Sequence, residues 1–164
     1  MFKHILSSLL LICLVTAQAI GQSGIPSKPS PPRLVNNLSK EMPYFLSQPE
    51  IEALEAKLTA FERETSNQIT VVIVDDLAGF EPWEYATEIG DQWQVGQAKE
   101  DNGIVILIKP TGGKGERKYF IAIGRGLEGK IPDVTARRIE EKELVPNFKN
   151  GNYYLGIDKT VDAL

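Results

Sequence analysis

The chain has 164 residues, of which 42% are hydrophobic and 24% are charged, and its formal net charge is −4. This composition fits one globular domain with a tail and excludes a wholly disordered chain. No basic stripe is present that would neutralise phosphates, so we expect no nucleic-acid partner.

Residues 1–22 have the pattern of a secretory signal peptide. Lys3 gives a positive start, residues 5–15 form an apolar run, and residues 17–19 (Ala-Gln-Ala) form a small-residue cleavage pattern. We therefore expect an exported protein, periplasmic or secreted. An N-terminal membrane anchor is the alternative, although the run is shorter than the ~20 residues of a spanning helix.

Cleavage of this peptide would limit the chemistry of the mature chain. It would remove Lys3, the single histidine His4 and the single cysteine Cys13, and leave 17 basic against 22 acidic residues. A Ser-His-Asp triad, a cysteine nucleophile, a histidine or thiolate zinc site and a disulfide are then excluded. Carboxylate, amide, hydroxyl, lysine and arginine chemistry remains.

Residues 23–33 are rich in proline and serine and predict an extended linker before a domain at 34–164. The domain opens with a short predicted edge segment at 33–39. Ser47 and Glu50 have the spacing of a capping box. Apolar residues at helical spacing follow, which predicts a first helix that ends near Asn67; its stripe is Ile51, Leu54, Leu58 and Phe61.

The β-branched run at 69–74 predicts a central strand buried on both faces. Pro82 suits the first turn of a second helix. Its predicted apolar stripe consists of Trp83, Ala86, Ile89 and Trp93. With the strand-like run at 104–108, this order predicts a right-handed βαβ unit.

Residues 104–108 and 119–123 predict a β-hairpin, because a segment rich in glycine and proline separates two apolar runs. Residues 132–145 predict a third helix that Pro146 ends. A last apolar stripe predicts a fourth helix: Tyr154, Ile157, Val161 and Leu164. The predicted fold is a three-layer α/β/α sandwich with a small mixed sheet flanked by about four helices.

The hairpin also predicts a site. Antiparallel strands place the start of the first beside the end of the second. Asp101 and Asn102 should therefore lie near residues 124–129, and Asp133 should fold back to the same edge. Carboxylate and amide oxygens are the ligands of Ca²⁺ and Mg²⁺. The alternatives are an ordinary turn role for Asp101 and a helix-dipole role for Asp133.

Gly124, Gly126 and Gly129 spell G-x-G-x-x-G between a strand and a helix. We expect no nucleotide cofactor, because this strand is the second arm of a hairpin and no ribose-binding acid follows a next strand. An anion or phosphate nest formed by Gly124, Arg125 and Gly126 is one interpretation. A solvated loop arginine is the other.

A set of motifs follows in order between residues 34 and 164. They are V-N-N-L-S (35–39), Q-I-T-V-V-I-V (68–74), Y-A (85–86), W-Q-V-G (93–96), D-N-G-I-V-I-L-I (101–108), I-G-R-G-L-E-G (123–129), P-D (132–133), P-N-F (146–148) and G-N-Y-Y-L-G-I (151–157). Together they resemble the TPM domain family. The resemblance implies an exported α/β/α domain that binds Ca²⁺ or Mg²⁺.

The resemblance carries over to particular positions. Asp101 matches the aspartate of the family's D-N-G motif, and Asp133 matches the aspartate after the glycine-rich loop. Asn37 stands where the family often has aspartate, so this position can still offer an oxygen to a cation but lacks one charge.

Two functions are implied by the resemblance. One is an assembly or regulatory module for a membrane-associated protein partner of the envelope. The alternative is a metal-dependent acid phosphatase that hydrolyses phosphate monoesters. The sequence singles out no catalytic residue for the second function.

Overall fold

A computed structural model describes residues 24–164, and the predicted signal peptide at 1–22 lies outside the described residues. Four strands form one mixed sheet in the order β1-β2-β3-β4: β1 (Val35–Asn37), β2 (Gln68–Ile73), β3 (Gly103–Lys109) and β4 (Lys118–Ile123). The first three strands are parallel, and β4 is antiparallel to β3. The predicted edge segment, βαβ order and hairpin are confirmed.

Helices cover both faces of the sheet: α1 (Gln48–Thr65), α2 (Pro82–Trp93), α3 (Asp133–Ile139), α4 (Val145–Lys149) and α5 (Tyr153–Ala163). The side chains of β2 alternate between the two cores. Val71 packs in the core that includes residues of α1 and α5, whereas Val72 packs in the core that includes residues of α2. The predicted α/β/α class and the central position of β2 are therefore confirmed.

The capping box of α1 is confirmed, because the Ser47 N–H donates to the Glu50 carboxylate at 2.7 Å. In α2 the predicted stripe is partly wrong. Trp93 is buried, but Trp83 is 54% exposed and Tyr85 joins the buried face instead. At 3.6 residues per turn the buried residues span about 100° of the helix, from Tyr85 to Ala86, and Trp83 lies about 60° beyond Ala86.

The prediction that Pro146 ends the third helix is wrong. A π-helical turn (Glu140–Leu144) joins α3 to α4, and the Val145 N–H bonds the carbonyl of Glu140, five residues earlier. Pro146 lies in the first turn of α4, where a missing N–H costs little. The wider turn thus lets the helix continue past the proline.

Residues 24–33 form no helix or strand, and they contact the domain. Ile25 packs against the core on the α2 face. The Trp93 indole donates to the carbonyl of Pro26 at 2.8 Å, and the Lys28 ammonium donates to the carbonyl of Trp93 at 2.6 Å. Between residues 24 and 164, no helix combines the length and apolarity needed to cross a bilayer.

Candidate functional site

The hairpin brings Asp101 to the segment that follows β4. Ile104 pairs with Ile123, and the Gly124 N–H donates to the carbonyl of Gly103 at 2.8 Å. Two residues later, the Gly126 N–H donates to the carbonyl of Asp101 at 2.9 Å. The loop before β3 and the glycine-rich loop after β4 therefore touch through their backbones.

The first two glycines of G-x-G-x-x-G allow this close approach. A Cβ on Gly124 would overlap the carbonyl oxygen of Asp101, and a Cβ on Gly126 would overlap that of Glu100. A Cβ on Gly129 would meet no atom within 4 Å. The contact of two backbones thus accounts for Gly124 and Gly126, whereas nothing in the structure explains Gly129.

Asp101 lies at the surface on an uncommon backbone conformation. Its φ is 44°, in the left-handed region that residues with a Cβ rarely adopt, although aspartate tolerates it better than most. Its N–H donates to the carbonyl of Gln97 at 2.8 Å. Its carboxylate lies 3.8 Å from the Arg125 guanidinium, and the two side chains are 53% and 90% exposed. An ion pair this exposed contributes little to stability, so both charges remain accessible to a ligand.

Asn102 holds the loop in place. Its side chain is buried, and its amide donates to the carbonyl of Ser66 at 2.7 Å and to the Asn67 side chain at 3.3 Å. Its amide oxygen accepts the N–H of Gln97 at 2.7 Å. Asn102 therefore supports the turn that carries Asp101, a positioning role that sequence reasoning missed because burial was not visible from the D-N-G pattern.

Asn37 lies at the other end of the sheet. It pairs with Ile73 at the carboxyl end of two parallel strands, whereas Asp101 precedes the amino end of β3. Its amide donates to the carbonyls of Met42 (3.1 Å) and Pro43 (3.2 Å), and its oxygen accepts the N–H of Ser39 at 3.1 Å. The structure does not bring Asn37 to Asp101.

Asp133 is exposed and is the first residue of α3. A carboxylate in a first turn interacts favourably with the helix dipole. Among residues 24–164, no side-chain hydrogen bond or ion pair engages this carboxylate, so it too is accessible from solvent.

A cleft of about 420 Å³ opens between the second half of α2 and the hairpin. We call it the Asp101 cleft. Val105 and Ala122 line it from the sheet. Its polar lining includes Asp91, Gln94, Gln97, Asp101 and Arg125. This volume is within the range of small-ligand sites, and the lining offers two carboxylates, two amides and a guanidinium.

The residues present fit a cation only in part. Ca²⁺ takes six to eight oxygen ligands. Within residues 24–164, no group of three or more histidine, cysteine, aspartate or glutamate side chains is arranged to hold a metal ion. Asp101 offers an exposed carboxylate, and backbone carbonyls, water or another molecule would have to supply the remaining ligands.

The Asp75 carboxylate, unlike that of Asp101, is used by the fold itself. Its carboxylate accepts the Ser39 hydroxyl and the N–H groups of Lys40 (2.6 Å) and Glu41 (3.3 Å). Partial burial opposes ionisation, but these hydrogen bonds and the Lys109 charge outweigh it and lower the pKa of Asp75 below its usual range. The carboxylate is thus used to fix the loop that follows β1.

The solved structures that are similar to this chain include two N-terminal domains. The N-terminal domain of a protein from P. gingivalis, a solution NMR structure, has 25% sequence identity and a TM-score of 0.66, over 80% of this chain and 78% of that chain. The N-terminal domain of the cg2496 protein from Corynebacterium glutamicum has 13% identity and a TM-score of 0.60, over 85% of both chains. The second likeness shows the fold alone.

No curated protein matches the chain at a significant level. The family model of the TPM domain matches residues 42–164, which include α1, the hairpin, Asp101 and all later elements. The V-N-N-L-S motif at 35–39 lies before the matched residues. Because the match covers most of the chain, the protein belongs to the TPM domain family.

Proposed function

We propose that the chain is an exported, cation-binding module that assists the assembly or regulation of a membrane-associated protein partner. The observation that carries this proposal is the exposure of Asp101. Its side chain is 53% exposed and lines the cleft, on a backbone with a φ of 44°. Uncommon backbone conformations concentrate at functional sites. The fold fixes the backbone of Asp101 and makes little use of its carboxylate.

The proposal assigns Ca²⁺ or Mg²⁺ to Asp101, with Asp133 as a second carboxylate. Since few side-chain oxygens are in place, we expect a weak site with a Kd of about 10⁻⁴ to 10⁻³ M, as in extracellular calcium modules. Oxygens of a bound partner would complete the ligand shell. Cation binding and partner binding would then strengthen each other by the same factor.

A metal-dependent acid phosphatase is the second candidate, and Arg125 favours it. Its guanidinium is 90% exposed and lines the same cleft as Asp101. A guanidinium binds phosphate oxygens through paired hydrogen bonds. A bound cation would supply positive charge to polarise a phosphoryl oxygen. Asp101 would hold that cation, and Arg125 would orient the phosphate; the general acid, general base and nucleophile are not assigned.

The two candidates are separated by testing wild type, Asp101→Asn, Arg125→Gln and Asp76→Asn. Asp76 is a matched control, because it is also an exposed aspartate but lies at the other end of the sheet, where it accepts the N–H of Leu77. Each immobilised protein is incubated with solubilised cell envelope, in Ca²⁺ or in chelator. Each is also assayed for hydrolysis of p-nitrophenyl phosphate with Ca²⁺ or Mg²⁺.

The module predicts a stoichiometric envelope protein that wild type and Asp76→Asn retain in Ca²⁺, and that chelator or Asp101→Asn releases. The phosphatase predicts hydrolysis that chelator, Asp101→Asn and Arg125→Gln each abolish while Asp76→Asn leaves it intact. A wild type that shows neither activity contradicts both candidates.

A further inference from the structure

A buried glutamate lies against the edge strand of the sheet. Glu140 is 8% exposed, and its carboxyl accepts the N–H of Ile121 at 2.7 Å. It begins the π-helical turn between α3 and α4. Ile121 packs in the core on this face, whereas Ala122 lines the Asp101 cleft on the other. The glutamate is therefore separate from the site already described.

The position of Ile121 in the hairpin explains the contact. The Gly124 N–H bonds to β3, and in an antiparallel pair the inward-pointing N–H groups alternate along the strand. The N–H groups of Tyr119, Ile121 and Ile123 therefore point away from β3, toward the free edge. Unpaired edge groups are sites for unwanted strand pairing. The Glu140 carboxyl accepts the N–H of Ile121, the middle of these three residues.

The carboxyl of Glu140 changes its charge near neutral pH. Burial, with a smaller contribution from the Glu141 charge, raises its pKa to about 7, against the lowering effects of the Ile121 N–H and the Arg137 charge. From β4, Tyr119 faces the same region, and burial together with Glu140 and Glu141 raises its pKa.

Lys142 and Glu143 lie in the same turn, and α5 packs against it. Asp158 and Asp162 of that helix are engaged by the Lys57 ammonium at 2.6 Å and 2.7 Å. The protonation of Glu140 is thus governed by its burial, by the edge N–H and by the neighbouring charges of its own helix.

We propose that Glu140 is a proton-controlled latch between the α3–α4 helix and the β4 edge. The protonated carboxyl stays in its buried position and accepts the N–H of Ile121. The ionised carboxyl is drawn toward water, so the helix loosens and the edge N–H is released. The device acts locally, on the face of the sheet opposite the Asp101 cleft.

The difference between the pKa of Glu140 in the closed and open states sets the size and sign of the pH effect on opening. A glutamate exposed by opening regains a pKa near 4.5, whereas in the closed state it is about 7. Between these values the closed state binds the proton more tightly, so opening becomes about tenfold more favourable per pH unit and levels off above pH 7. Opening should therefore increase about 60-fold between pH 5 and pH 7.5.

Amide hydrogen exchange measured by NMR on the purified protein from pH 5 to pH 8 tests the latch. Rates are divided by the intrinsic rate at each pH. We expect the protection of the Ile121 amide to fall about 60-fold by pH 7.5 and then level off, while the Val72 amide of the central strand stays constant. In Glu140→Gln, a neutral side chain of the same shape, Ile121 protection should be independent of pH.

Three results would overturn the latch. These are constant Ile121 protection in the wild type, the same fall in Glu140→Gln, and an equal fall at Val72, which would indicate global unfolding. If Glu140→Gln does not fold, the side-chain carboxyl carbon of Glu140 is titrated by NMR in the wild type. A midpoint near 7 that coincides with the levelling of exchange supports the latch, and a midpoint near 4.5 refutes it.

Discussion

The two ends of the sheet each present an aspartate, and the chain uses them differently. At the Asp75 end, where the parallel strands finish, Asp75 accepts the Ser39 hydroxyl and two backbone N–H groups. At the Asp101 end, the Asp101 carboxylate faces one exposed arginine 3.8 Å away. The first carboxylate is saturated by its own fold, and the second is free for a ligand.

The unused carboxylate lies at the end of the sheet where ligands are less often found. In open α/β sheets, ligands usually bind beyond the carboxyl ends of the parallel strands. Here the chain's own loops occupy that end, since the Asp75 carboxylate binds the loop after β1 and the Asp75 carbonyl accepts the Thr111 hydroxyl at 3.0 Å. The hairpin forms a cleft at the opposite end instead. The site proposed here therefore rests on which acceptors the fold leaves unused, and not on strand direction.

The largest effect is expected from Gly126→Ala, which breaks the backbone contact of the Asp101 end. The new Cβ would overlap the carbonyl of Glu100, so we expect a loss of about 3 kcal/mol in the free energy of unfolding. Gly129→Ala is the matched control, because its Cβ meets nothing within 4 Å and should change stability by less than about 0.5 kcal/mol. Urea denaturation measures both, and equal midpoints would contradict the packing role of Gly126.

Asp75→Asn tests the saturated end. The variant loses the charge on three hydrogen bonds, so we expect it to unfold about 2 kcal/mol more easily at pH 7. Because folding lowers the pKa of Asp75, its contribution is present above the usual value of 3.8 and is lost as pH falls through the lower folded value. The gap between variant and wild type should therefore narrow in acid.

The control for this prediction is Asp76→Asn, an adjacent exposed aspartate that should cost less than about 0.5 kcal/mol. Urea denaturation at pH 7 and at pH 3 measures all three proteins. A gap between Asp75→Asn and wild type that stays constant with pH would show that the carboxylate charge contributes nothing.

Asn102→Ala tests whether the buried Asn102 side chain supports the loop that carries Asp101. It removes hydrogen bonds to Ser66 and Gln97 in a buried position, and we expect a loss of about 1.5 kcal/mol. The loop that carries Asp101 should also become more mobile. NMR relaxation of the Gln97 and Asp101 amides measures this, and an unchanged loop would remove the positioning role assigned to Asn102.

Much of the fold follows from local patterns. The β-branched run of β2, the Ser47 capping box and the glycine-rich separation of β3 from β4 each have a strong physical cause within a few residues. Trp83 and Pro146 were mispredicted because a shifted helix face and a π-helical turn depend on the packing of neighbouring elements. The contacts of residues 24–33 depend on Trp93, which is distant in sequence.

The site could be predicted only in part. Hairpin topology placed Asp101 beside the glycine-rich loop, because pairing in an antiparallel hairpin follows from the turn. The position of Asn37 required knowing that β1 is parallel to β2, and the role of Asn102 required knowing that it is buried. Glu140 carried no sequence signal, because its effect depends on an edge N–H distant in sequence.

The most direct test of the account is calorimetric titration of Ca²⁺ and Mg²⁺ into wild type, Asp101→Asn, Asp133→Asn and Asp76→Asn, with folding checked by circular dichroism. The account predicts saturable binding by the wild type with a Kd of about 10⁻⁴ to 10⁻³ M. Asp101→Asn should weaken it at least tenfold, Asp133→Asn less, and Asp76→Asn not at all. Wild type without saturable binding, or a folded Asp101→Asn that binds as tightly as wild type, would contradict the assignment of the cation to the Asp101 end.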